Sequence, residues 1–141
     1  MSRRQARERA LQVLFQVDVG GADPDMALRL MDEDFGNLTK SGDFTKRLVF
    51  GVIEHLVPLD RIITNVSKDW SLNRIARVDK SIMRLALFEM LYCDDIPSSV
   101  SVNEAVDMGK IFGGEDSGKF INGILGKVLG NLEEYKPVKT I

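Results

Sequence analysis

Segment 82–92 constrains the fold more than any other part of the chain. Only Arg84 and Glu89 in it are charged, and the remainder is apolar on nearly every side of a helix. Such a helix cannot lie against water, and it falls well short of the roughly 20 apolar residues that span a bilayer. It requires a shell of amphipathic helices around it. Arg84 and Glu89 are expected to pair with that shell.

The rest of the chain supplies the shell, since helical spacing accounts for almost everything between Ser2 and Leu132. Ser2 and Gln5 form a capping box for a first helix with the stripe Ala10, Leu11, Leu14 and Phe15, which ends at Gly20-Gly21. Asp23-Pro24 starts a second helix carrying Met26, Ala27, Leu30 and Met31. Residues 37–42 read as a loop. Asp43 is the expected cap of a third helix, with Phe44, Leu48, Val49, Val52, Ile53 and Leu56 inward and Pro58 as its stop. A fourth helix carries Leu59, Ile62, Ile63, Val66 and Trp70. Residues 71–77 form a linker bearing Arg74 and Arg77, and Asp79 is the expected cap of the central helix. A Ser101/Glu104 capping box and the acidic stretch 113–116 open the last two helices. The predicted fold is all-α: one compact domain of about seven helices over residues 1–135, then a short polar tail, 136–141. No alternating strand pattern and no fixed-period repeat is found.

Composition narrows the function classes. A single cysteine, Cys93, excludes an internal disulfide, and a single histidine, His55, leaves little for a metal shell or a catalytic triad. No catalytic residue, metal or cofactor is expected. Neither a signal peptide nor a membrane span is found, so a cytoplasmic location is expected. The net charge of −2 means that any attraction to nucleic acid must come from a local patch.

The stretch 113–119 fits the spacing of a phosphate-binding loop, but the features around it point elsewhere. Phe120 follows Lys119 where a magnesium-binding hydroxyl belongs, Glu115 and Asp116 repel polyphosphate, and a helix precedes the loop where a strand is needed. A helix–helix connection is the expectation. The basic arm is the stronger lead. Arg3 and Arg7 lie one helical turn apart with Arg4 beside them, an array able to contact successive phosphates and to stack on unpaired bases. A solvated first turn is the alternative. Phe112 and Phe120 flank the acidic loop as stacking candidates for single-stranded RNA, with core packing as the competing role. Gly123, Gly126 and Gly130 share one helical face and leave room for a close neighbour or a homodimer.

Several ordered stretches together resemble the NusB family of transcription antitermination factors. They are Arg4-Gln5-Ala6-Arg7-Glu8 with Leu11-Gln12-Val13-Leu14-Phe15, then Val78-Asp79-Lys80-Ser81-Ile82-Met83-Arg84-Leu85-Ala86 with Phe88-Glu89. Ile96-Pro97, Asn103-Glu104-Ala105-Val106, Lys110-Ile111-Phe112-Gly113, Glu115-Asp116-Ser117 and Lys119-Phe120-Ile121-Asn122-Gly123-Ile124-Leu125 complete the series. The resemblance implies two small helical subdomains. It also implies binding of single-stranded boxA-type RNA in nascent ribosomal RNA transcripts, jointly with a small-subunit ribosomal protein acting as NusE, within the RNA polymerase elongation complex. By the same resemblance, Arg3, Arg4, Arg7 and Phe15 form one RNA-facing group, and Asp116, Lys119 and Phe120 form a second. The region of Asp79 would face the ribosomal protein. Gln5 stands where some relatives carry arginine, and Phe15 lacks a tyrosine hydroxyl. A purely structural interaction module that binds no RNA is the rival reading.

Overall fold

The computed structural model describes residues 2–35, 40–68 and 71–137, and among these every regular element is helical. The order is α1 (Arg3–Gly20), α2 (Pro24–Phe35), α3 (Lys40–Glu54), α4 (Leu56–Ser67), a 3-10 turn (Leu72–Arg74), α5 (Arg77–Tyr92), α6 (Ser98–Phe112), α7 (Glu115–Gly130) and α8 (Leu132–Tyr135). The chain divides into two compact units, Met1–Glu54 and His55–Ile141. Trp70, residues 37–39 of the expected loop and the tail from Val138 lie outside the described residues.

In the first unit, the start of α1 follows the sequence closely. The Ser2 hydroxyl accepts from the Gln5 backbone N–H at 3.2 Å, and the Gln5 side chain accepts from the Ser2 N–H at 3.0 Å, so both arms of the capping box are made. Gly21 closes the helix in the left-handed conformation, φ 66°, that a side chain would resist. Asp23 caps α2 by accepting from the Met26 N–H at 3.1 Å. α1 packs chiefly on α3. Ala6 and Ala10 are fully buried, and the buried Thr45 hydroxyl donates to the Ala6 carbonyl at 3.1 Å, tying the two helices together.

Two expectations in this unit need correction. Met26 and Leu30 are each 53% exposed, while Ala27, Leu28 and Met31 are buried, so α2 turns a different face inward. α3 begins at Lys40, ahead of Asp43, which lies in its first turn. There the acidic side chain complements the helix dipole without being the cap.

The second unit is built around α5, which packs against α4, α6 and α7. Residues 81–91 are buried without exception, as the apolar pattern requires. Each large aliphatic side chain hidden in this way contributes roughly 1.5–3 kcal/mol. The two charged members are paired. Arg84 grips Asp60 of α4 in a two-pronged contact, Nε to Oδ1 at 2.7 Å and Nη2 to Oδ2 at 2.8 Å. Glu89 accepts from the Ser101 hydroxyl of α6 at 2.9 Å.

That second bond explains a further correction. Ser101 does not open α6, which starts at Ser98 after Pro97; its hydroxyl is committed to a buried acid instead. Pro58 likewise does not stop α3. It occupies the third position of α4, where the missing N–H would have no helical partner in any case. α5 starts at Arg77 with Ala76 as its N-cap, which places Asp79 in the first turn and not at the cap. His55 stacks on Tyr92 at 3.9 Å between ring centroids, and burial raises the Tyr92 hydroxyl pKa above its usual value. Cys93 is buried as a small apolar residue.

α6 and α7 pack tightly at Gly109 and Gly118. A methyl group placed on Gly109 would stand 2.7 Å from Ile121 Cδ1 and 3.4 Å from the Gly118 nitrogen. The turn between the two helices, residues 113–114, carries Gly114 at φ 96°. α7 therefore starts at a defined point, with Glu115 and Asp116 in its first turn.

Candidate nucleic-acid interface

The arginine arm belongs to the first turns of α1. Arg3 is exposed, Arg4 half-buried and Arg7 almost completely buried at 3% exposure. Phe44 of α3 organises the group: the guanidinium carbon of Arg3 lies 4.5 Å from its ring centroid and that of Arg7 lies 5.4 Å away. Two cations over one aromatic ring gain electrostatic attraction from the ring's negative face. The arm is thus fixed by a capping box at one end and an aromatic clasp at its side. Phe15 is half-buried on the same helix. Eleven positions separate it from Arg4, three turns plus about 20°, so the two share a face about 16 Å apart along the axis.

Phe44 was not among the expected site residues. Its role arises from a contact between segments far apart in sequence, and no local spacing announces it.

In the second unit, Asp116 and Lys119 are exposed and Phe120 is half-buried, all within the first two turns of α7. Asp116 and Phe120 are four residues apart and stand one above the other on a single helical face. The phosphate-loop spacing has no counterpart in the geometry. Its residues connect two helices, and the Lys110 side chain runs over Gly118, where a methyl group would come within 2.6 Å of Lys110 Cγ. Phe112 is 49% exposed and its neighbour Ile111 is 61% exposed.

Asp79 has an unusual setting. It is 7% exposed, and its Oδ1 is buried without a hydrogen-bond partner. Burying a polar atom unpaired costs about 1–3 kcal/mol. Gly113 adjoins it, since a methyl group there would stand 3.2 Å from Oδ1. Asp79 also lines an open pocket of about 160 Å³ together with Arg74, Ile75, Ala76 and Phe120. The pocket therefore brings together an acidic residue, an aromatic residue and an arginine from three separate segments. Arg74 stood in the sequence only as part of a linker; its neighbourhood with Phe120 is a tertiary feature.

Among the described residues, no group of three or more His, Cys, Asp or Glu side chains is placed to hold a metal ion. No described helix is long and apolar enough to cross a membrane.

The NusB family model matches residues 4–130. The transcription antitermination protein NusB of Pelotomaculum thermopropionicum is 63% identical over 138 residues, spanning 98% of this chain and 96% of that protein. Among solved structures, NusB of T. maritima superimposes with a TM-score of 0.84 at 35% identity, covering 92% of each chain. A chain from a crystal structure of the antitermination factors NusB and NusE in complex with double-stranded RNA superimposes with a TM-score of 0.81 at 26% identity. It covers 93% of this chain and 99% of that one.

Proposed function

Since the chain belongs to the NusB family of transcription antitermination proteins, we propose that it is a non-enzymatic adaptor binding single-stranded boxA-type RNA in nascent ribosomal RNA. It binds jointly with a small-subunit ribosomal protein acting as NusE, in the cytoplasm, and the assembly acts on the RNA polymerase elongation complex. The observation that carries this reading is the family match over residues 4–130, which spans Phe15 and both groups of RNA-facing candidates except Arg3. The structure of NusB and NusE with double-stranded RNA supports the pairing of the two partners.

In this mechanism Arg3 and Arg4 meet backbone phosphates, while Arg7 holds Phe44 and keeps the arm in place. The attraction to phosphate is electrostatic and falls with salt. Phe15 adds an aromatic face on α1. On α7, Phe120 stacks on an unpaired base, Lys119 neutralises a phosphate, and Asp116 accepts from a base amino group, which is a way to read sequence. The region of Asp79, at the first turn of α5, faces the ribosomal protein, and the negative charge of its largely buried side chain favours a basic partner there.

Titration of a boxA-like single-stranded RNA tests the reading, with and without the ribosomal protein, at two salt concentrations. Arg3→Ala/Arg4→Ala is the informative variant, because Arg7 is part of the packing. Salt-sensitive binding, enhanced by the partner and weakened in the variant, is the expected result. A folded protein that binds no RNA in either setting would sink the proposal and leave an interaction module.

Self-association has one observation in its favour. Gly123, Gly126 and Gly130 are exposed, and no atom comes within 4 Å of where their side chains would begin. A second copy seated on this face makes a homodimer, which sedimentation at several concentrations checks; a monomer throughout removes it.

A further inference from the structure

We propose that Arg74 is a phosphate contact of the second unit, placed beside Phe120 to hold the RNA backbone where a base stacks on that ring. The inference rests on the RNA-binding reading and adds to it a residue outside both expected groups. With a net charge of −2, the protein attracts RNA only where cations outweigh the acids exposed beside them. Around Phe120 that condition is poorly met by α7 itself, whose first turn carries Glu115 and Asp116 against Lys119.

Arg74 supplies the missing charge. It is exposed, lines the pocket that also holds Phe120, and makes no ion pair or ring contact among the described residues. In particular, it does not pair with Asp79, although both line the same pocket. Its backbone is held in place: the Arg74 N–H donates to the Ser71 carbonyl at 2.9 Å, and the next residue, Ile75, is buried. A guanidinium presented from an anchored turn loses less freedom on binding than one on a mobile segment. Its planar fork suits a phosphate that follows a base stacked on Phe120. The linker between α4 and α5 thus supplies a charge that α7 lacks.

The test is fluorescence anisotropy with a labelled boxA-like single-stranded RNA at several salt concentrations. The full chain is compared with Arg74→Ala and Arg74→Lys, with and without the ribosomal protein. Arg74→Ala should weaken RNA binding by about tenfold at low salt, and lower the slope of log K against log salt by roughly 0.7, the share of one single-strand phosphate. Arg74→Lys should restore the slope. Thermal midpoints equal to wild type are expected for both variants, since the side chain is exposed. Wild-type affinity and slope in Arg74→Ala, alongside weakened binding in Arg3→Ala/Arg4→Ala, would overturn this inference and leave the RNA reading standing. Loss of ribosomal-protein binding with RNA affinity unchanged would overturn it as well, assigning Arg74 to the protein contact proposed for its neighbour Asp79. A wild-type chain that binds no RNA would remove both.

Discussion

Arg7 keeps only 3% of its surface in solvent, and its guanidinium lies over the same Phe44 ring as that of the exposed Arg3. The two arginines should therefore separate in a stability measurement. Arg7→Ala removes a buried stem as well as a ring contact and is expected to cost about 1–3 kcal/mol. Arg3→Ala, with its side chain in water, should cost under about 1 kcal/mol. Urea denaturation of each variant checks the difference, and equal losses would mean that the aromatic clasp does not discriminate. This division was partly legible in the sequence. Arg7 stands three and seven positions before Ala10 and Leu14, on the buried stripe of α1, and its 3% exposure sets it apart from the phosphate-facing array, or solvated first turn, expected for Arg3, Arg4 and Arg7 together. The identity of its ring partner does not follow from spacing, because Phe44 reaches it through the packing of α3 on α1. Asp79 carries the same lesson: an acidic residue near a helix start reads as a cap, and only the surrounding packing reveals an oxygen without a donor.

Glycines of two kinds distinguish the elements. Gly109 lets α6 settle onto α7, and a methyl group there would meet the fully buried Ile121 side chain at 2.7 Å with the Gly118 backbone just behind it. Gly109→Ala should destabilise the protein by about 1–3 kcal/mol through overpacking, despite the gain in helix propensity. Gly126 faces open space in the isolated chain, so Gly126→Ala should stabilise by roughly 0.5–1 kcal/mol. Thermal or urea melts of the two variants should shift in opposite directions. A destabilising Gly126→Ala in the monomer would contradict the open face. The existence of these helices was readable from period and capping residues, as at Ser2, Gly21 and Asp23. Their edges were less so wherever a tertiary bond claimed the capping residue, as Glu89 claims Ser101. The inward face of α2, Ala27, Leu28 and Met31, differs from the expected one for a related reason. Met26 and Leu28 are equally apolar, and only packing decides which is hidden.

On the scale of the whole molecule, the central helix was the most predictable feature and the pocket beside its first turn the least. An apolar run has one low-energy solution, whereas the pocket joins residues from the linker, α5 and α7. Its polar asymmetry bears on the isolated chain as well as on the complex. Asp79→Asn keeps the shape of the side chain and removes its negative charge, which is held in a residue only 7% exposed with Oδ1 lacking a donor. The isolated variant should melt at or above the wild-type temperature, with a gain of up to about 1 kcal/mol, because a buried charge costs more than a buried neutral amide. Its binding to the ribosomal protein should fall at least about tenfold, since the charge that meets a basic donor is gone. Calorimetry and a binding titration on the same preparation check both halves, and undiminished partner affinity would dissociate Asp79 from docking. Position 79 would then be a point where durability and partnership oppose each other. A laboratory selection for heat resistance alone would be drawn to it early, and the hardened protein that emerged would have given up its companion.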